Sequence, residues 1–213
     1  MKIKEYRSYF IHELTPIFDE GEAESFFYLI LENKQQLKRI DLALQHDLTF
    51  SADQIKVWNR ILEQLKQEIP VQYLLGKTSF YGLDFEVNSA VLIPRPETEE
   101  LVDWIIKSNG AAQAAKKIKI LDIGTGSGCI AISLAKNILD AQVFAIDVSA
   151  EALATAQKNA EINEANITFI EKNILETVDL EQQFDIIVSN PPYVRNLEKV
   201  EINKNVLEYE PHL

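Results

Sequence analysis

A single cysteine among 213 residues, Cys129, excludes an internal disulfide and fits a reducing compartment. No apolar stretch approaches the roughly 20 residues that a membrane-spanning helix needs. The start, Met1-Lys2-Ile3-Lys4-Glu5-Tyr6, mixes charges with apolar residues and leads into no signal-like run. A soluble protein of the cytoplasm, with no membrane partner, is the expectation. Positive charge is scarce: 21 Lys and Arg stand against 33 Asp and Glu, for a net charge of -12. Phosphate-tracking surfaces carry a basic stripe, so no direct contact with nucleic acid is expected. The one basic cluster, Lys116-Lys117-Ile118-Lys119, reads as a solvated linker ahead of a strand. Internal repeats and low-complexity segments are missing too. What is present, 46% hydrophobic and 25% charged residues, suffices for one large domain or a small one plus a medium one.

Residues 1 to about 75 read as a small helical bundle. Ser51-Ala52-Asp53-Gln54 has the spacing of a capping box. Ile55, Trp58, Ile61, Leu62 and Leu65 follow at helical intervals until Pro70 ends the pattern. Similar stripes run through Tyr6–Phe18, Glu22–Glu32 and Gln35–His46, separated at Asp19-Glu20-Gly21 and Asn33. The aromatic residues Phe10, Phe18, Phe26, Phe27, Tyr28 and Trp58 are assigned to the core. From Gly76 the character changes. Thr78 to Val87 alternates around Gly82, as a short hairpin does. Val91-Leu92-Ile93 runs into the stiff Pro94-Arg95-Pro96, then a helix from about Glu97 to Asn109 closed by Gly110, with 111–117 as a connector.

After Ile118 strands and helices alternate: strand Ile118–Ile123, helix Gly128–Asn137, strand Gln142–Ile146, and a helix capped by Ser149 that runs to about Asn163. Strands Ile167–Ile170 and Phe184–Val188 complete the pattern. Such alternation implies an α/β fold with a parallel, doubly wound, Rossmann-like sheet. The chain is thus expected to divide into 1–75, a helical bundle, and 76–213, a hairpin and a nucleotide-type domain.

The first strand turns into its helix through Asp122-Ile123-Gly124-Thr125-Gly126-Ser127-Gly128. Glycines there permit φ values barred to other residues and let the backbone approach a ligand closely. The second strand ends in Asp147, placed to accept hydrogen bonds from ribose hydroxyls. This pattern alone suits NAD, FAD or S-adenosyl-L-methionine, and each half also has a bland reading as a turn or a helix cap. Two features tilt it. The glycines follow a G-x-G-x-G spacing, and Asp122 precedes them, where it would repel a pyrophosphate and welcome a cationic amino-acid tail.

The last strand empties into Asn190-Pro191-Pro192-Tyr193. Consecutive prolines cannot continue a central strand. The chain leaves the sheet with an amide, a rigid turn and an aromatic ring at the strands' C-terminal edge, where open α/β sheets bind ligands. An uncharged pair of acceptors, the Asn190 side-chain oxygen and the Pro191 carbonyl, suits a planar NH2 group beside an aromatic face.

Together the Asp122–Gly128 loop, Asp147 and Asn190-Pro191-Pro192-Tyr193 resemble a class I S-adenosylmethionine-dependent methyltransferase acting on nitrogen. Three upstream stretches narrow the resemblance: Pro70-Val71-Gln72-Tyr73-Leu74-Leu75-Gly76, Phe80-Tyr81-Gly82, and Leu92-Ile93-Pro94-Arg95-Pro96-Glu97-Thr98-Glu99. With the final Asn205 to Leu213 they are similar to the peptide chain release factor N5-glutamine methyltransferases. The resemblance implies methylation of the glutamine in the Gly-Gly-Gln motif of bacterial release factors, with residues 1–75 recognising that protein. It implies that Asp122, Gly124, Thr125, Gly126, Ser127, Gly128, Asp147 and Asn190 line the cofactor. Asn190, Pro191, Pro192 and Tyr193 would hold the substrate glutamine, with Asn190, Pro191 and Tyr193 in the catalytic role. Where the family places an acidic residue and an aromatic beside the adenine, this chain has Asn173 and Ile174. Four sheet strands are readable where the family has seven, so a chain cut short at its C-terminus, with an uncovered sheet edge, is expected. The alternatives are a ribosomal-protein glutamine methyltransferase, a nucleic-acid adenine methyltransferase using the same Asn-Pro-Pro-Tyr logic on a flipped base, and an inert interaction module.

Overall fold

A computed structural model describes residues 1–109, 117–191, 209 and 211. The chain divides into two units, Met1–Leu75 and Gly76–Leu213. Among the described residues no helix is long and apolar enough to cross a membrane.

The first unit contains helices α1 (Ile3–Leu14), α2 (Glu20–Gln35), α3 (Arg39–Leu44), α4 (Ala52–Lys66) and α5 (Val71–Leu75). Ser51 caps α4 as its spacing predicts: its hydroxyl accepts the Gln54 N–H at 3.2 Å, and the Gln54 side chain takes the Ser51 N–H at 2.7 Å. The apolar stripe of α4 delivers Trp58 to the centre of the unit. Its ring lies 5.0 Å from Phe27 and Phe50, 5.7 Å from Tyr6 and 5.8 Å from Phe10. All five are buried. Two sequence boundaries are corrected. Gly21 and Asn33 lie inside α2, because Asp19 caps the helix by accepting the Glu22 N–H at 2.8 Å, and the helix continues to a left-handed Gln36. Pro70 closes one pattern but opens another, since its carbonyl accepts the Tyr73 and Leu74 N–H groups that begin α5.

The second unit begins with a hairpin, β1 (Lys77–Phe80) and β2 (Leu83–Glu86). Its two turn residues, Tyr81 and Gly82, both have positive φ, the geometry whose twist matches a two-residue hairpin. Helix α6 (Pro96–Asn109) follows; Gly110, Lys116 and the 111–116 part of the connector lie outside the described residues. Then come β3 (Lys119–Ile123), α7 (Cys129–Asn137), β4 (Gln142–Asp147), α8 (Ala150–Ile162), β5 (Ile167–Glu171), a single 3-10 turn at Ile174–Glu176, and β6 (Ile186–Ser189).

The four strands pair in parallel in the order β5-β4-β3-β6. Alternate residues (Ile120, Val143, Ala145, Ile167, Phe169, Ile186 and Val188) share one face and pack into a core with Val102 and Ile105 of α6, residues of α7, and Ala160 of α8. The last strand starts two residues later than its apolar run; just before it, the Asp185 N–H donates to the Lys119 carbonyl and the Asp185 carboxylate accepts the Lys119 N–H, both at 2.9 Å. Phe184 instead packs edge-on against Phe144, at 5.4 Å on the opposite face.

Candidate active site

Successive strands progress from β3 through β4 to β5 on one side, while β6 lies on the other side of β3. That reversal makes the C-terminal edge around β3 and β6 a topological switch point, where open sheets leave a crevice. Register decides who meets there. Ile123 pairs with Ile146 on one side and with Ser189 on the other. The next residue of each strand, Asp147, Gly124 and Asn190, therefore emerges at one level. With neighbouring strands about 4.8 Å apart, the Asp147 and Asn190 backbones are about 10 Å apart across the edge.

The glycine loop is tied to β4 at three points. Gly124 N–H and Thr125 N–H both donate to the Ile146 carbonyl, at 2.8 and 3.0 Å. Gly126 N–H donates to Asp147 Oδ2 at 2.9 Å, and Ser149 N–H to Asp147 Oδ1 at 3.0 Å. Asp147 thus braces the loop while each oxygen keeps a further lone pair for ribose hydroxyls. Gly124, Gly126 and Gly128 all have positive φ. A Cβ at Gly124 or Gly126 would meet no heavy atom within 4 Å among the described residues, whereas one at Gly128 would sit 3.1 Å from both Ala156 Cβ and Ile132 Cδ1. The first two glycines leave open room over the loop. The third lets α7 approach α8.

Asp122 sits beneath the loop, with only 1% of its surface exposed. Its Oδ2 accepts the Thr125 hydroxyl at 2.7 Å, and its Oδ1 has no hydrogen-bond partner among the described residues. Burial pushes its carboxyl up to about 6; the Thr125 hydroxyl and, more weakly, the Ala131 N–H oppose this, and the charge of Asp147 adds to it. The neighbouring Cys129 thiol is pushed up to about 12 by burial, which removes it as a nucleophile at neutral pH.

At the far end of the row, Asn190 Nδ2 donates to the Thr98 hydroxyl oxygen at 3.0 Å. Pro191 follows, exposed; Pro192 and Tyr193 lie outside the described residues. Beyond β5, Asn173 caps the 3-10 turn by accepting the Leu175 N–H at 3.0 Å, and both Asn173 and Ile174 are half-buried. Glu97 is exposed in the first turn of α6, and the Arg95 carbonyl accepts the Thr98 N–H at 3.0 Å.

Two functional side chains carry no role in the sequence reading. Thr98 stands within a quoted motif but gains its meaning only from Asn190. Asn159 lies on the buried side of α8 among Ala152, Ala156 and Ala160, and is itself fully buried. Its amide takes the Glu86 N–H at 2.6 Å and donates to the Glu86 and Ser127 carbonyls, both at 2.9 Å. An asparagine on an alanine-rich helix face was the available signal, because a buried amide needs partners.

Two carboxylates, Asp122 and Asp147, together with the open glycines suit a cationic nucleoside ligand better than a pyrophosphate. Comparison with known proteins agrees. The family model "PrmC N-terminal domain" matches residues 7–76 and "Methyltransferase small domain" matches 107–211. A release factor glutamine methyltransferase of Flavobacterium psychrophilum is 67% identical over all of this chain and 75% of its own length. Proteins of the same name from Bacteroides thetaiotaomicron and Streptococcus pneumoniae are each 42% identical, over 97% and 100% of this chain and 73% and 74% of their own lengths. With that identity running through both units and the site, the chain belongs to the release factor glutamine methyltransferase family.

Proposed function

We propose that this protein transfers a methyl group from S-adenosylmethionine to the side-chain amide nitrogen of the Gly-Gly-Gln glutamine in a peptide chain release factor. The names of its relatives support this substrate. The observation that carries it is the row at the sheet edge: a carboxylate, a glycine turn and a neutral amide emerge side by side from β4, β3 and β6. When bound, S-adenosylmethionine supplies an electrophilic methyl group on a sulfonium. Gly124 to Gly128 and Asp147 would hold it, with Asn173 and Ile174 at the adenine; Asp122 would contribute negative charge from beneath the loop.

An amide nitrogen is a poor nucleophile because its lone pair is delocalised, as the rotation barrier of about 18–20 kcal/mol shows. Placement is therefore the main task of the protein, and aligned positioning supplies roughly 7–11 kcal/mol. The Asn190 Oδ1 and the Pro191 carbonyl accept the two N–H groups of the glutamine, aiming its nitrogen at the methyl carbon. Pro192 and Tyr193, which lie outside the described residues, would wall the pocket against water. No general base is required before transfer: the nitrogen becomes strongly acidic only once methylated, and it then releases one proton to solvent as the product departs. The helical unit is read as the part that recognises the release factor, in the cytoplasm and without direct contact to nucleic acid.

Labelled methyl transfer to a release factor and to its Gln→Ala variant tests the reading. Label on the unmodified factor alone supports it; equal label on both, or none on either, sinks it. Asn190→Ala should lower kcat far more than affinity for the cofactor.

A further inference from the structure

We propose that Thr98 is the positioning residue of Asn190: its hydroxyl holds the NH2 end of the Asn190 amide and leaves Oδ1 toward the substrate. The inference rests on the reading of Asn190 as the acceptor for the glutamine amide. The two ends of a primary amide are nearly identical in shape, so packing alone holds the group poorly and hydrogen bonds fix its place. Thr98 supplies one of them. It is polar yet only 8% exposed, and its Oγ1 accepts from Asn190 Nδ2 at 3.0 Å across 92 positions of sequence. With the NH2 end engaged, Oδ1 is the end presented to a donor. A substrate NH2 needs an acceptor; the flipped amide would present a donor and repel it.

The platform is fixed. Thr98 lies in the first turn of α6, where its N–H bonds the Arg95 carbonyl at 3.0 Å. The next residue, Glu99, accepts the Tyr81 N–H from the hairpin turn at 2.7 Å. Hairpin, helix and acceptor amide are thus linked in series, and a displacement of α6 is transmitted to Asn190 through one hydroxyl.

Two hydroxyl-free variants, Thr98→Val and Thr98→Ala, and the conservative Thr98→Ser separate this role from packing. In the full-length enzyme, with saturating methyl donor and a release factor substrate, Val and Ala variants should lose on the order of tenfold in kcat, the value of one lost orienting hydrogen bond. KM should move by about twofold or less, and Ser should retain a rate near that of the unaltered enzyme. Independently of activity, the Asn190 side-chain NH2 resonances, assigned through Asn190→Ala, should shift in Thr98→Val and hold in Thr98→Ser. Unchanged kcat in the Val variant, a Ser variant as slow as Val, or unmoved NH2 resonances would each overturn the proposal. Full transfer by Asn190→Ala would instead sink the reading of Asn190, while the resonances still decide the contact.

Discussion

The Asn159 amide, in the middle of α8, donates to the Ser127 carbonyl inside the glycine loop at 2.9 Å. The same side chain pairs with both backbone groups of Glu86 on β2. One buried residue therefore joins the hairpin to the loop, and Lys158 beside it pairs with the Glu86 carboxylate at 2.6 Å.

Asn159→Ala strands one N–H and two carbonyls. Each buried unpaired group costs about 1–3 kcal/mol, so a loss of about 3 kcal/mol or more is expected. Denaturant unfolding measures the loss, and hydrogen exchange locates it: the Glu86 amide should exchange much faster. Protection unchanged at Glu86 would remove the clamp from the account.

The two kinds of glycine predict two kinds of failure. Gly128→Ala places a Cβ against Ala156 and Ile132 and forces a positive φ on alanine, a strain of about 1–2 kcal/mol before any clash. It should lower the melting temperature. Gly124→Ala carries the strain without the clash and fills the room above the loop. It should keep most stability and lose binding of S-adenosylhomocysteine in calorimetry.

Asp122 predicts a pH effect of definite sign. Its carboxyl is raised from 3.8 to about 6 in the fold, so between those values the native state holds the extra proton. Its contribution to stability is complete below about pH 4 and is lost as pH rises through about 6. Asp122→Asn should flatten that fall relative to the unaltered protein when melting temperature is followed from pH 4 to 7. Ionisation also supplies the negative charge beneath the loop. Affinity for S-adenosylmethionine should accordingly rise through the same window, and not in the variant.

Trp58 tests the helical unit. Truncation to Ala empties the centre of a cluster of aromatic rings and should cost about 3–5 kcal/mol. Its Nε1 has no hydrogen-bond partner among the described residues, so Trp58→Phe gives up volume without stranding an acceptor and should cost clearly less. Comparing the two by urea unfolding checks the ordering.

Much of this molecule is legible in its sequence. The capping box at Ser51, the β3–glycine–α7 turn and the two-proline exit from β6 are local signals, carried by residues a few positions apart. Errors fell where local signals compete. Gly21 and Asn33 look like breaks, yet a capping Asp19 upstream and packing of Phe27, Ile30 and Leu31 hold α2 continuous through both. Asp122, read from its place before the glycines as a partner for a cationic tail, is turned by strand alternation into the interior beneath the loop. Pro192 and Tyr193 lie outside the described residues, so their walls remain part of the proposed mechanism.

The sequence by itself determined the helical and α/β halves, the glycine turn and the amide-bearing strand end, because period, capping and backbone restriction act over short spans. Only the tertiary structure decided that Asp147, Gly124 and Asn190 share one level, that Asn159 binds the loop, and that Thr98 meets Asn190. Those relationships join residues tens of positions apart through strand register and helix packing. No local pattern encodes a partner that distant.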